Sequence, residues 1–376
     1  MPDASSMKVC VLTTSYPTTQ DTTRGIFVSQ LYSHLKQQGV HFSYLSPTIF
    51  TPLTSGAGIF SNLQTSWSAR LLFPLYALVF FLQILFTARR YDLLHANWSL
   101  TAFLALLAKP MHRKKILLTE RSSHLIQLTN PFLKFFIRYT YRHVDILVTL
   151  SKTARQQLSN NYHIPLSSIL VIPNGVALPT LRPQPALRKR LHLSQKTLLL
   201  TVGRLTRDKD YATLLLALHH LPKSLSSYHL LLIGDGEAKS SLEHLVQQYG
   251  LSSHVTFLGK ISHDRVYDYM AASDIFVQTS LKDSGGNVIL ESMAHGLALV
   301  STPVGWAKDY LTSGRNGLFF TPQDTKNLTK HLSHLLQQLQ LRKTLGQAAR
   351  QTIVREHLTW NHCAKRYLRL YKELLS

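Results

Sequence analysis

The chain has 376 residues, 45% of them hydrophobic, which allows two domains with full cores and excludes a chain too polar to fold. Lys and Arg outnumber Asp and Glu by 41 to 19, a net of +22, and the excess is concentrated in residues 1–190 (20 against 5) compared with the remainder (21 against 14). Such a field attracts nucleic acid, anionic lipid or a phosphorylated substrate, while only two cysteines, Cys10 and Cys363 at opposite ends, exclude a disulfide framework or a metal-binding cysteine pair.

A reducing compartment fits these two thiols. The opening MPDASSMKVCVLTT has no basic segment followed by an apolar one, so no secretory signal is expected, and Met7 offers an alternative start. The run KVCVLTT (8–14) reads as a strand and 15–24 as a polar loop. A helical pattern then opens at Gly25, repeats at Leu31 and Leu35 and stops at Gly39, ahead of a strand over 40–45. Strand, helix and strand make a βαβ unit, which implies a parallel sheet with ligand loops at the carboxyl ends of its strands.

The apolar run 71–88 approaches spanning length and is followed by Arg89 and Arg90. It lies between strands that belong to one sheet, so a domain helix is expected, buried or partly lipid-facing, and not a span. A strand over 91–96 leads into His95-Ala96-Asn97-Trp98. Histidine at a strand end is either an acid, base or orienting group or a satisfied structural residue; Asn97 can only hydrogen-bond.

A strand over 116–119 opens into Glu120-Arg121-Ser122-Ser123-His124, where Glu120 and His124 are either substrate groups or a solvated pair. In PFLKFFIRYTYRH (131–143), Lys134, Arg138 and Arg142 recur at every fourth residue among aromatics, the pattern of an interfacial membrane helix or of an ordinary amphipathic one. A strand over 144–150 ends at Ser151, placed to cap a helix beginning near Thr153. ILVIPNGV (169–176) gives a further strand and an Asn-Gly turn, and the Pro- and Arg-rich stretch from 179 reads as a linker.

In the second half, a strand over 197–202 opens into Gly203-Arg204-Leu205-Thr206-Arg207-Asp208-Lys209 before a helix over 212–220. Two fixed cations, Arg204 and Lys209, beside a glycine suit a departing diphosphate, on which negative charge builds as its bond breaks; a solvated basic loop is the alternative. Strands over 229–233 and 255–258 end in Gly234-Asp235-Gly236 and Gly259-Lys260-Ile261. A strand over 274–278 then enters SLKDSGGNVILESMAHGLALVST (280–302). Asp283 stands ahead of Gly285 and Gly286, a helix begins near Asn287 and runs to Gly296, and a strand follows over 297–300. Glycines ahead of a helix let the backbone approach a ligand, and the free N–H groups of the first turn form a phosphate site. Glu291 lies one turn into that helix, on the face of Asn287. One acid is thus placed to hold a sugar beside the phosphate and the other a ribose. The last helix carries Trp360, Tyr367, Leu370, Tyr371 and Leu374 at helical spacing.

These motifs resemble those of the retaining GT-B glycosyltransferases of the group 1 / family 4 type, strongly from Gly203 to Leu318 and loosely before Ile172. Their Glu-x7-Glu signature, E-G-F-G-x-x-x-x-E, aligns with Asp283, Ser284, Gly285, Gly286 and Glu291, the first acid being one methylene shorter here. G-R-L-x-x-x-K-G aligns with Gly203 to Asp210, with Asp210 at the last glycine. H-x-H-W aligns with His95 to Trp98, with Asn97 at the second His; T-E-H-x-S aligns with Thr119 to Ser123, with Arg121 at its His; and the first glycine loop aligns at Gly25.

The resemblance implies an α/β fold of two Rossmann-like domains facing across a cleft. Residues 1–178 are expected to form the acceptor-side domain, 179–195 a linker, 196–356 the nucleotide-sugar domain, and 357–376 a helix crossing back to the first. It implies a retaining enzyme that moves a hexose from a UDP- or GDP-type sugar. Asp283 would orient the sugar, Arg204 and Lys209 the diphosphate, and Asn97 would complete the catalytic set. Gly25, Gly203, Gly234, Lys260, Ile261, Ser284, Gly285, Gly286, Asn287, Val288 and Glu291 would bind the donor. His95, Glu120 and His124 would face the acceptor. No cofactor is expected, and the cation pair in the place of a metal makes the activity metal-independent. The basic first half favours a lipid-linked or glycan acceptor of bacterial-type envelope glycan synthesis, on an anionic membrane surface at the cytoplasmic face. The rival readings are a nucleotide-sugar 2-epimerase of the same architecture, a phosphorylase, and an anion- or nucleic-acid-binding protein, the last leaving Asp283 and Glu291 unexplained.

Overall fold

The computed structural model describes residues 7–14, 25–47, 66–121, 130–181, 184–190, 196–283 and 286–376, with positions 50, 53, 59, 62, 63 and 128. The chain forms two compact units, Met1–Gly175 with Trp360–Ser376, and Val176–Thr359.

In the first unit the elements alternate as the βαβ pattern requires: β1 (Lys8–Leu12), α1 (Ile26–Gln37), β2 (His41–Leu45), α2 (Trp67–Thr87), β3 (Leu93–Asn97), α3 (Ser99–His112), β4 (Lys115–Glu120), α4 (Pro131–His143), β5 (Ile146–Thr149), α5 (Lys152–Tyr162) and β6 (Ile169–Val171). Among the described residues these strands form one parallel sheet in the order β2-β1-β3-β4-β5-β6. Side chains alternate between its two faces. Cys10, Leu12, Leu94 and Ala96 pack against α2, α3, α4 and α5, while Val9, Val11 and Leu93 pack against α1 and the terminal segment Trp360–Tyr371. β3 is therefore buried along its whole length.

Helix α2 is capped by Ser66, whose hydroxyl accepts from the Ala69 N–H. The segment Trp67–Arg90 is long and apolar enough to cross a membrane by length and composition. Its Ala69, Tyr76, Phe80 and Ile84 nevertheless belong to the sheet core.

The second unit holds α6 (Gln184–Arg190), β7 (Thr197–Val202), α7 (Tyr211–His219), β8 (Tyr228–Ile233), α8 (Lys239–Gln248), β9 (Val255–Gly259), α9 (His263–Ala272), β10 (Ile275–Gln278), α10 (Asn287–Ala294), β11 (Ala298–Ser301), α11 (Gly305–Tyr310), β12 (Leu318–Phe319), α12 (Thr325–Gln337) and α13 (Leu339–Arg355). Its parallel sheet runs β12-β11-β10-β7-β8-β9. The stretch 179–195, read from sequence as a linker, stands corrected in its middle. Arg188 of α6 bonds the carbonyls of Ala272 and Lys196 and pairs with Asp274, which fastens α6 to this sheet. Helix α14 (Trp360–Leu375) returns to the first unit and packs on α1.

The turn after α10 meets α13 backbone to backbone. A Cβ on Gly346 would lie 2.0 Å from the Gly296 carbonyl oxygen. Gly346→Ala is therefore expected to destabilise the protein by about 1–3 kcal/mol through overpacking, read as a lower thermal midpoint; an unchanged midpoint would show that the two backbones separate freely.

Candidate functional site

The second sheet grows from β7 in two directions, β8 and β9 to one side and β10 to β12 to the other. At such a switch point the loops leaving neighbouring strands diverge and open a crevice at their carboxyl ends. A cavity of about 220 Å³ lies there, walled by Thr201 to Gly203 from the end of β7, Phe276 to Ser280 from the end of β10, Lys209 and Tyr211 ahead of and within α7, and Asp283, Gly286, Asn287 and Val288 at the start of α10.

One ion pair crosses this wall. Lys209 Nζ donates to Asp283 Oδ2 at 3.1 Å, with the side chains 19% and 11% exposed. Asp283 Oδ1 accepts from the Gly286 backbone N–H at 3.0 Å, which ties the acid to the turn that starts α10. The short Asp283 side chain thus accepts from the Gly286 N–H and still reaches the ammonium. Two further bonds hold the β7 and β10 loops together: Thr279 Oγ1 donates to the Lys209 carbonyl at 2.7 Å, and the Leu281 N–H to the Asp208 carbonyl at 2.8 Å.

Asp210 shows why an acid can stand where relatives have glycine. Its backbone is left-handed (φ 48°, ψ 45°) as the N-cap of α7, a conformation that Asp tolerates better than most side chains. Asp208 and Asp210 flank Lys209 in an Asp-x-Asp arrangement, but their carboxylates serve the chain locally. Asp208 accepts from Thr206 Oγ1 at 2.5 Å and Asp210 from Thr213 Oγ1 at 2.7 Å. Burial raises the Asp210 pKa, with its bonds to Thr213 opposing.

The glycines of the β7 and β8 loops serve close packing. A Cβ on Gly234 (φ +144°) would lie 1.8 Å from the Gly203 carbonyl oxygen, and one on Gly236 2.5 Å from that of Leu205. Gly203 itself faces the Tyr211 hydroxyl, which a Cβ would approach to 2.7 Å. Gly234 thus shapes the cavity through Gly203.

Other expected donor residues are placed as follows. Arg204 is exposed on the loop after β7 and is not in the cavity wall. Lys260, exposed, and Ile261 follow the carboxyl end of β9. Ser284, Gly285 and His124 lie outside the described residues. Glu291 is 6% exposed. Its Oε1 meets His263 Nε2 at 3.0 Å and accepts from the Tyr267 hydroxyl at 3.4 Å, both from α9, while its Oε2 has no partner among the described residues. Burial opposes the charge on His263, but the bond to Glu291 and the charges of Glu291 and Asp264 outweigh it and raise its pKa.

Sequence reasoning missed Gln278. It ends the apolar strand β10, is 6% exposed, lines the cavity, and its Oε1 has no partner among the described residues. A lone amide in an apolar strand was the available signal, since a buried polar group without a partner costs about 1–3 kcal/mol.

In the first unit three expected substrate groups are corrected. His95 is fully buried, its Nδ1 bonded to Tyr371 OH at 2.6 Å and its Nε2 to Thr119 Oγ1 at 2.8 Å. Burial, aided by the Arg121 charge, pushes its pKa well below the ordinary value, so it is a neutral core group. Asn97, also fully buried, donates to Tyr32 OH at 3.0 Å and accepts from Arg121 Nε at 2.9 Å. Glu120 is buried at the start of α3, where its Oε2 accepts from the Ser99 N–H at 3.1 Å and from Tyr141 OH at 3.0 Å. Gly25 occupies the left-handed region (φ 61°) at the N-cap of α1, a conformational reason for glycine. What these strands do hold at their carboxyl ends is Arg121, fixed by Asn97, by Asn174 Oδ1 at 2.6 Å and by the Phe27 ring at 5.1 Å, with Nη2 unpaired among the described residues.

Comparison with known proteins adds three findings. The description Glycosyltransferase Family 4 matches residues 25–178, and Glycosyl transferases group 1 matches residues 184–352. The lipopolysaccharide core biosynthesis glycosyltransferase LpsE of Rhizobium meliloti is 32% identical over 155 residues, 41% of this chain and 44% of that protein. Among solved structures, sucrose-phosphate synthase of Thermosynechococcus elongatus matches with a TM-score of 0.78 at 22% identity, over 98% of this chain and 99% of that one. HepE of Anabaena in complex with UDP matches with a TM-score of 0.77 at 16% identity, over 98% and 100%, and has also been solved with UDP-glucose. At these identities the structures share the fold, two Rossmann-like α/β domains.

Proposed function

Because this chain belongs to the GT-B glycosyltransferases of the group 1 / family 4 type, we propose that it moves a hexose from a UDP- or GDP-type sugar to a lipid-linked or glycan acceptor, with retention of anomeric configuration. The observation that carries this reading is the Lys209–Asp283 pair in the wall of the switch-point cavity, beside the first turn of α10. A diphosphate entering there meets the Lys209 ammonium and the amides at the start of α10, and Arg204 lies on the loop that leads to it. As the glycosidic bond breaks, negative charge grows on the diphosphate, and groups already fixed around it stabilise that charge without reorganising. Released from Lys209, Asp283 accepts from sugar hydroxyls, and the unpartnered Oε2 of Glu291 from the ribose. The Gln278 amide offers a further contact inside the cavity.

The likeness to LpsE and the basic first half support an envelope glycan acceptor at the cytoplasmic face of a membrane. Incubation with UDP-, GDP- and ADP-sugars, with and without lipid extract, should release nucleoside diphosphate from one donor class and only when acceptor is present. Release of an epimer or free sugar without acceptor would overturn the transfer reading. Since cations replace a metal at the diphosphate, excess chelator should leave turnover unchanged; appreciable loss would contradict that part.

A further inference from the structure

The core of the first unit explains only one side of α2. Its inner side, Ala69, Tyr76, Phe80 and Ile84, packs on the sheet. On the opposite side Trp67, Leu71, Leu75, Leu78, Leu82 and Phe86 are all exposed, Trp67 and Phe86 at 73% each. Their spacing puts them on one stripe roughly 100° wide along the helix. The neighbouring helices extend it. α3 packs between α2 and α4, with Phe103 edge-on to Phe136 at 5.4 Å, and exposes Leu107 and Met111; α4 exposes Phe132, Phe135 and Tyr139. Three adjacent helices therefore turn apolar side chains to water, a pattern that marks an interaction surface.

Charge selects what covers it. From Trp67 to His112, outside the loop at Asp92, and throughout α4 there is no acid, whereas Arg70, Arg89, Arg90, Lys109, Lys134, Arg138 and Arg142 are basic. Lys109 is neutralised by Asp145 at 2.8 Å. A second copy docked on this face would set like charges together. An acidic soluble partner would leave the apolar stripe unexplained.

We propose that the outer face of α2, α3 and α4 docks on an anionic lipid bilayer, with α2 lying in the headgroup plane and not crossing it. The strands before and after α2, β2 and β3, belong to one sheet and its inner side is committed to that sheet, so the helix can only lie flat. Leucines of the stripe then enter the acyl boundary, and Arg89, Arg90 and the α4 cations meet lipid phosphates. The proposal rests on the reading of a membrane-linked acceptor, and names the surface that brings the enzyme to it.

The test is co-sedimentation of the full chain with vesicles of phosphatidylcholine, alone or mixed with phosphatidylglycerol, at low and high salt. Binding should require phosphatidylglycerol and weaken with salt. The double variant Leu75→Glu, Leu78→Glu, whose positions are exposed, should keep its thermal midpoint and its nucleoside diphosphate binding but lose the vesicles. Arg89→Gln and Arg90→Gln should each weaken binding about fivefold. Equal binding to both vesicle types, or undiminished binding by the Leu75/Leu78 variant, would overturn the proposal, as would a dimer in light scattering that the same variant disperses. Vesicle binding without sugar transfer would sink the catalytic reading and leave this one standing; transfer to a soluble acceptor without vesicle binding would do the reverse.

Discussion

Lys209→Ala is expected to lower kcat by about 100- to 1000-fold, the loss that follows removal of one fixed donor from a developing negative charge. The Lys209 side chain is 19% exposed, and the residue is tied to the cavity through Asp283 and through its backbone carbonyl, which Thr279 holds. Its position is thus set before substrate arrives. Because the charge it meets grows during bond cleavage, kcat should fall further than donor affinity. Asp283→Asn separates the two halves of the pair, since an amide oxygen can still accept from the Gly286 N–H while the charge is gone. It should also lose turnover, with the thermal midpoint nearly unchanged. If Lys209→Ala merely raised KM and left kcat intact, Lys209 would be a ground-state contact and no more.

The second large effect concerns Glu291. Glu291→Gln should raise the KM for the donor about tenfold or more, as expected for a hydrogen bond to a charged group, with a smaller change in kcat. The same acid sets a pH dependence of stability through His263, which faces Glu291 and Tyr267, with Asp264 beside it on its own helix and the His295 ring tilted against Tyr267 at 5.1 Å. The His263 pKa is raised in the folded protein. Its contribution to stability is therefore complete below the ordinary histidine value of about 6.5 and is lost as pH rises through the raised value. Thermal midpoints of the parent should decline across that window relative to those of His263→Gln. Parallel curves for the two proteins would mean that the His263–Glu291 contact carries no charge.

Much of the fold was legible because its signals are local. β-Branched runs punctuated by glycine mark the strands, and the loops at 203–209 and 280–302 keep their glycines, cations and acids within a few residues of one another. Lys209, Asp283, Gly286, Asn287 and Val288 do line one cavity. What sequence could not reveal was burial decided by distant partners. His95 is saturated by Tyr371 and its partner Thr119 is bonded to Tyr367, residues from a helix at the far end of the chain. Strand ends that look like substrate sites become core once helices cover both faces of the sheet, as Asn97 and Glu120 illustrate. The helix at 184–190 was hidden for a similar reason: its anchor, Asp274, lies 86 residues beyond Arg188.

The central claim is that the crevice between β7 and β10 holds the diphosphate of the donor. It is tested most directly by solving the structure with UDP or GDP, whichever binds more tightly. The pyrophosphate oxygens should lie within about 3 Å of Lys209 Nζ and against the start of α10, with the Lys209–Asp283 pair opened. A nucleotide bound elsewhere, with that pair intact, would contradict it.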